Sequence, residues 1–159
     1  MVTGGGSGMG RAICHHLARQ GRQVAVLDID GDAADEVAKE VQAEGGTAVG
    51  AGVDVSDRAA IDAALGEVRA ALGPIGIMVT SAGIEGFEDF LDIDTDAWDR
   101  MIAVNLTGTF HCLQAAVPDM IEKVMPSLSK SAIDFHSGLI FGFPLLNTNE
   151  IWYCHGAIE

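Results

Sequence analysis

Short apolar runs alternate with longer amphipathic stretches over the first 123 residues, the pattern of strands and helices in a parallel α/β sheet. Met9, Ala12, Ile13 and Leu17 begin a stripe at helical spacing, which predicts a helix over 9–20 stopped by Gly21. "QVAVLDID" at 23–30 reads as a strand whose apolar run ends in acids. A second helix is expected over 32–44, ended by Gly45-Gly46, then a weaker strand over 47–56 thinned by Gly50 and Gly52. Ile61, Leu65, Val68 and Leu72 mark one face of a third helix, which Gly73-Pro74 terminates. "IGIMVT" at 75–80 predicts a buried strand. Thr95 is placed to cap a long helix with the apolar face Trp98, Ile102, Leu106, Phe110, Leu113 and Val117, and Pro118 is its end or a kink close to it.

Beyond residue 123 the pattern stops. Only Lys130, Asp134, Glu150 and Glu159 carry charge there, and "SGLIFGFPLL" is broken as a strand by Pro144. The expected organisation is one unit over 1–123 and an atypical segment over 124–159 with no assigned structure. At the other end only Met1-Val2-Thr3 precede a dense glycine run, so the strand leading into it is a stub. Such a stub is expected to leave backbone groups on its neighbours unpaired.

Composition narrows the functional classes. With 23 acidic residues against 9 basic, the net charge is −14, a surface that repels nucleic acid and anionic membranes. No run of about 18 apolar residues occurs, so no membrane span is expected, and no secretory signal is visible. Cys14, Cys112 and Cys154 are odd in number and far apart, which suits reduced thiols and a cytoplasmic location. Cys14-His15-His16 suggests metal at first sight, but neighbouring helical positions diverge and no second ligand pair follows, so no metal is expected.

The glycine run carries the chemistry. "TGGGSGMG" holds five glycines between Gly4 and Gly10 and leads straight into a helix, as a phosphate loop does and a linker does not. A turn from strand into helix gathers backbone N–H groups and the positive end of the helix dipole at one point, a seat for a pyrophosphate. The spacing is T-G-x-x-x-G-x-G on Thr3, Gly4, Gly8 and Gly10, and no Lys-Ser/Thr pair follows, which argues against an ATP-type loop. Asp28 ends the second strand, where a carboxylate can accept bonds from both hydroxyls of an adenosine ribose and would repel a 2′-phosphate. Asp30 lies in the following turn as a helix cap. Ser7, neither Arg nor Lys, precedes the second key glycine, so NAD is favoured over NADP.

These residues, taken in order, make the chain resemble the N-terminal half of a short-chain dehydrogenase/reductase. "TGGGSGMG" is similar to that family's cofactor loop, "LDID" to its acidic strand end, and "VDVSD" to its adenine-site element with Asp54. "TSAGI" is similar to its Asn-Asn-Ala-Gly element with Ser81 at an asparagine place, and "VNLTGTF" carries its helix asparagine as Asn105. The resemblance implies a Rossmann-like, doubly wound parallel sheet, here incomplete, with its first strand a stub and its C-terminal strands missing or replaced. It implies cofactor contacts from Gly4, Ser7, Gly8, Met9, Gly10, Asp28, Ile29, Asp54, Val55, Ser81, Ala82 and Gly83, and a place for Asn105 in the catalytic set. The implied chemistry is NAD-dependent hydride transfer on a small-molecule alcohol or ketone.

The family's Tyr-x-x-x-Lys is not matched. The only tyrosine is Tyr153, with Ala157 four residues on, and Ser131 and Ser137 are candidates for the family serine by type alone. The expectation is an oxidoreductase by descent with impaired turnover. The alternative is a non-catalytic dinucleotide-binding fragment, or a truncated or frameshifted relic. Apolar surface left open by the incomplete sheet would favour homo-oligomers.

Overall fold

In the computed structural model, which describes residues 1–86 and 88–124, the valine- and alanine-rich short runs build one parallel sheet. Its strands are β1 (Val2–Thr3), β2 (Val24–Asp28), β3 (Ala48–Gly52) and β4 (Val79–Thr80), in the order β3-β2-β1-β4. The helices are α1 (Gly8–Arg19), α2 (Gly31–Ala43) and α3 (Arg58–Leu72). A 3₁₀ turn (Phe90–Asp92) then leads into α4 (Thr95–Met101), a π-helical stretch (Ile102–Gly108) and α5 (Thr109–Val124).

Alternation along β2 assigns each helix to a side of the sheet. Val24 and Val26 pack with Cys14 and Leu17 of α1 and with Val37 and Val41 of α2. Ala25 and Leu27 face the other way, onto Ile61, Leu65 and Val68 of α3 and Cys112, Ala115 and Ala116 of α5. Both faces are covered, so the strand is apolar at every position until Asp28. Between α1 and α2 an ion-pair network closes the outer surface: Arg11 meets Glu40, and His15 lies within 3.3 Å of both Glu40 and Glu44. The Arg11 guanidinium holds the Glu40 carboxyl below the usual carboxylate range.

Two expectations about strands need correction. The stub β1 does not leave its neighbours unpaired: Val2 registers with both Val26 and Val79, and Thr3 with Leu27 and Thr80. Residues beside it extend the ladders, through Met1 N to Ile77 O, Ser81 N to Thr3 O and Gly5 N to Leu27 O. Strand β3 keeps full register with β2 from Ala48 to Gly52, and its glycines are there for closeness: a Cβ on Gly50 would stand 2.7 Å from the Ala34 backbone. The buried strand expected over 75–80 is shorter and more open than that. Only Val79–Thr80 pair, both are half-buried, and their outer side meets no other strand among the described residues.

The long helix departs further. Its N-cap is Asp94, whose carboxylate accepts from Ala97 N at 2.7 Å, with Thr95 the first helical residue. The large apolar side chains do not face the core: Trp98 is 55%, Leu106 56% and Phe110 48% exposed. What packs inward is the small-residue face of Gly108, Cys112, Ala115 and Ala116, which lets the helix lie close to α3 and the sheet. Pro118 neither ends nor visibly interrupts α5. Proline weakens the backbone bonds of the preceding turn, and here the Ala115 carbonyl accepts from Arg69 Nη2 at 3.0 Å.

Arg69 also grips Asp119 through two nitrogens, and Asp119 takes the Ile75 N–H at 3.0 Å, tying α3, α5 and the approach to β4 together. The Asp119 side chain is 14% exposed, and the Arg69 hydrogen bond holds its carboxyl below the ordinary range. A carboxyl depressed in the folded state stabilises above its unfolded value of about 4, and that contribution is lost as pH falls through the folded value. Asp119→Asn is therefore expected to cost about 1–2 kcal/mol at neutral pH and to flatten the acid side of the stability curve. Urea midpoints measured from pH 3 to 8 check both; an unchanged midpoint at pH 7 would refute it.

Candidate functional site

The turn from β1 into α1 is built by glycines that cannot be replaced without collision. Gly4 has φ +66°, and a Cβ there would stand 2.7 Å from the Ser81 and Ala82 backbone. On Gly10 a Cβ would fall onto the Gly4 carbonyl, with the Gly4 carbon 2.7 Å away. Gly8, at φ +50°, is the exception, since a Cβ there would meet nothing within 4 Å. Ser7 is the N-cap of α1, yet its hydroxyl makes no capping bond, and no acid stands in the first turn. The first N–H groups of α1 have no intrahelical partner, no acid in the first turn offsets the positive pole of the helix, and Ser7, Gly8, Met9 and Gly10 line the cleft.

Opposite this pole lies Asp28. One carboxylate oxygen accepts Gly6 N at 2.9 Å and the other Asp30 N at 3.1 Å, so the group is anchored through its own turn and across to the glycine loop. Asp30 is engaged as the cap of α2, accepting Ala33 N at 3.1 Å. Asp54, past the end of β3, accepts the N–H and the hydroxyl of Ser56 on one oxygen.

The third wall is the loop after β4. It is fixed to β1 by Ser81 N to Thr3 O, and by Ala82 N to Thr3 Oγ1 at 3.4 Å. At its other end Asn105, in the π-helical stretch, brackets Ile84: Oδ1 accepts Ile84 N and Nδ2 donates to Ile84 O, both at 2.8 Å. The Asn105 side chain is thus engaged in holding this loop.

All twelve residues expected at a cofactor line one cleft of about 260 Å³. The chain's topology explains its position: β1 connects outward to β2 on one side and lies beside β4 on the other, and clefts in such sheets open where the strand order reverses. Asn105 does not line the cleft, though its neighbour Val104 does. Val53, Ile84 and Val104 also line it, and sequence reasoning passed over them because an apolar residue beside a motif reads as core. Tyr153, Ser131, Ser137 and the atypical segment beyond Val124 lie outside the described residues.

The cleft fits a dinucleotide in two respects. Open space at Gly8 leaves room for a diphosphate against bare N–H donors, and a carboxylate stands where hydroxyl donors would arrive. Cys14, beneath the loop, and Cys112 supply no nucleophile, since burial pushes both thiols up to about 11. Among the described residues no cluster of His, Cys, Asp and Glu could hold a metal ion. No helix among them is long and apolar enough to cross a membrane.

A family model described as short chain dehydrogenase matches residues 1–127. The chain belongs to this family. Among short-chain dehydrogenases it is 41% identical over 122 residues to 2-(S)-hydroxypropyl-CoM dehydrogenase 3 of Xanthobacter autotrophicus, covering 77% of this chain and 48% of that protein. It is 38% identical over 123 residues to 2-dehydro-3-deoxy-L-rhamnonate dehydrogenase (NAD(+)) of a Sphingomonas species, again covering 77% and 48%. The crystal structure of a 3-ketoacyl-ACP reductase from Sinorhizobium meliloti matches with a TM-score of 0.74 at 37% identity, over 77% of this chain and 48% of that one. The chain therefore spans about half the length of the short-chain dehydrogenases it matches.

Proposed function

We propose that this cleft takes NAD(H), and that residues 1–123 are the cofactor-binding unit of an oxidoreductase acting on a small alcohol or ketone. The observation that carries the reading is the pairing of an uncompensated helix pole at Gly8 with the anchored Asp28 carboxylate across the cleft. In this reading the first turn of α1, from Ser7 to Gly10, holds the pyrophosphate through backbone N–H groups. Asp28 accepts the ribose hydroxyls, Ile29 and Val55 flank the adenine, Asp54 meets its amino group, and Ser81, Ala82 and Gly83 border the path toward the nicotinamide. A bound nicotinamide would supply the hydride acceptor or donor. Support for NAD over NADP comes from the charge of Asp28, from Ser7 in place of a basic residue, and from a relative whose name specifies NAD(+).

Turnover by this chain is a separate matter. A phenol with pKa near 10 needs an adjacent cation to act as a base at neutral pH, and Tyr153 is followed by Ala157 where the family places lysine. That departure favours a second reading, in which the chain binds the dinucleotide without catalysing transfer.

Calorimetric titration with NADH and separately with NADPH tests the proposal. Clear preference for NADH supports it, and no heat with either overturns it; activity with alcohols or ketones would then remove the second reading. Asp28→Ala is expected to weaken NADH binding by about 1–3 kcal/mol through loss of charge-assisted bonds to the ribose. A dissociation constant equal to the parent's would take Asp28 out of the site.

A further inference from the structure

We infer that Thr109, which does not itself line the cleft, is a positioning residue whose hydroxyl holds the π-helical stretch in the form that builds the inner wall of the cleft. The inference rests on the dinucleotide reading above. In an α-helix the carbonyl of Asn105 would accept the backbone N–H of residue 109. Here that N–H turns to Leu106 O instead, and the Thr109 hydroxyl takes its place on Asn105 O at 2.8 Å.

The substitution matters because of what the stretch presents. Val104 lines the cleft, Asn105 brackets both backbone groups of Ile84, and Leu106 points outward at 56% exposure. Extra residues in a π turn shift the phase of everything before them, by about 100° for each residue relative to an α-helix. A return to α-helical bonding would rotate Val104 off the cleft and Asn105 off Ile84. The Asn105 carbonyl is not bonded to the Thr109 N–H that would be its α-helical partner, and the Thr109 hydroxyl bonds to it instead. Serine retains that donor; valine keeps the shape and loses it.

The experiment uses the full chain with Thr109→Val and Thr109→Ser. Hydrogen exchange at the Ile84 amide, which is bonded to Asn105 Oδ1, reads the wall directly without any ligand. Exchange at Ile84 is expected to rise about tenfold in the valine variant, as expected for loss of a bond of about 1 kcal/mol or a little more, and to stay at the parent rate in the serine variant. NADH affinity should fall about five- to tenfold in the valine variant while ADP affinity is unchanged, because the ADP half lies against α1, Asp28 and Asp54. An unchanged Ile84 rate in Thr109→Val overturns the proposal. So does a serine variant as impaired as the valine one, or an equal acceleration throughout β2, which would mean general loss of stability. If neither NADH nor ADP binds the parent chain, the dinucleotide reading falls, and the Ile84 exchange alone decides for or against the role of Thr109.

Discussion

Gly8→Val is expected to reduce NADH affinity at least about a hundredfold, a loss near 3 kcal/mol, in a chain that still folds. Two structural facts separate binding from folding at this position. Space around Gly8 is open, so a side chain there meets no protein atom within 4 Å of the Cβ, and Gly8 lines the cleft at the N-terminus of α1. A branched side chain would stand where a diphosphate must come close, and each lost N–H contact to a charged oxygen removes one of the stronger bonds available to the site. The backbone at φ +50° costs a β-carbon about 1–2 kcal/mol, seen as a fall in melting temperature of roughly 2–4 °C per kcal/mol for a chain of this size. Calorimetry and thermal melting together check it: tight binding by the variant would remove the pyrophosphate seat from Gly8.

Gly10→Ala is expected to act in the opposite way, through the fold. Its added methyl would overlap the Gly4 carbonyl and press on the Gly5 Cα 3.1 Å away. None of these atoms belongs to a side chain that can rotate aside. Either α1 moves outward from the sheet, disturbing Cys14 and Leu17 against Val26, or the β1–α1 turn changes shape. Overpacking against backbone is expected to cost about 2–4 kcal/mol, with dinucleotide binding lost as a consequence. A urea midpoint equal to the parent's would show that the turn has slack that its geometry denies. The contrast between two glycines two residues apart is the point of making both variants: one is empty for a ligand, the other for the chain itself.

The glycine turn, Asp28 and the cap at Asp30 were legible in the sequence because each depends on chemistry within a few residues: close backbone approach, a strand ending in acid, a cap before a helix. The alternation of elements was legible for the same reason. The direction of the long helix was not. Helical periodicity in Trp98, Leu106, Phe110, Leu113 and Val117 marks a face without saying where it points, and the opposite face of Gly108, Cys112, Ala115 and Ala116 won the core by fitting closer to α3. The π-helical stretch leaves no residue signature of its own, so the bracket between Asn105 and Ile84 could not be foreseen. Asp94 and Thr95 are both competent caps side by side, and only the fold chose Asp94. Strand order, too, depends on crossovers that a linear pattern does not encode, which is why β1 as a stub looked costly until its two partners were in place.

Those two partners bear on the order of events during synthesis. Of the four strands described, β1 leaves the ribosome before the others, but Met1 bonds to Ile77, 76 residues later. At about 5–20 residues per second, roughly 4–15 s pass before β4 emerges. In that interval the β1–α1 turn can be supported by β2 alone, through Gly5 N to Leu27 O and Gly6 N to the Asp28 carboxylate. Its remaining wall, Ser81 to Ile84, arrives last and is secured only when Asn105 follows. Competence to hold a ligand is thus a late acquisition of the nascent chain, gained after both ladders of the central strand have closed.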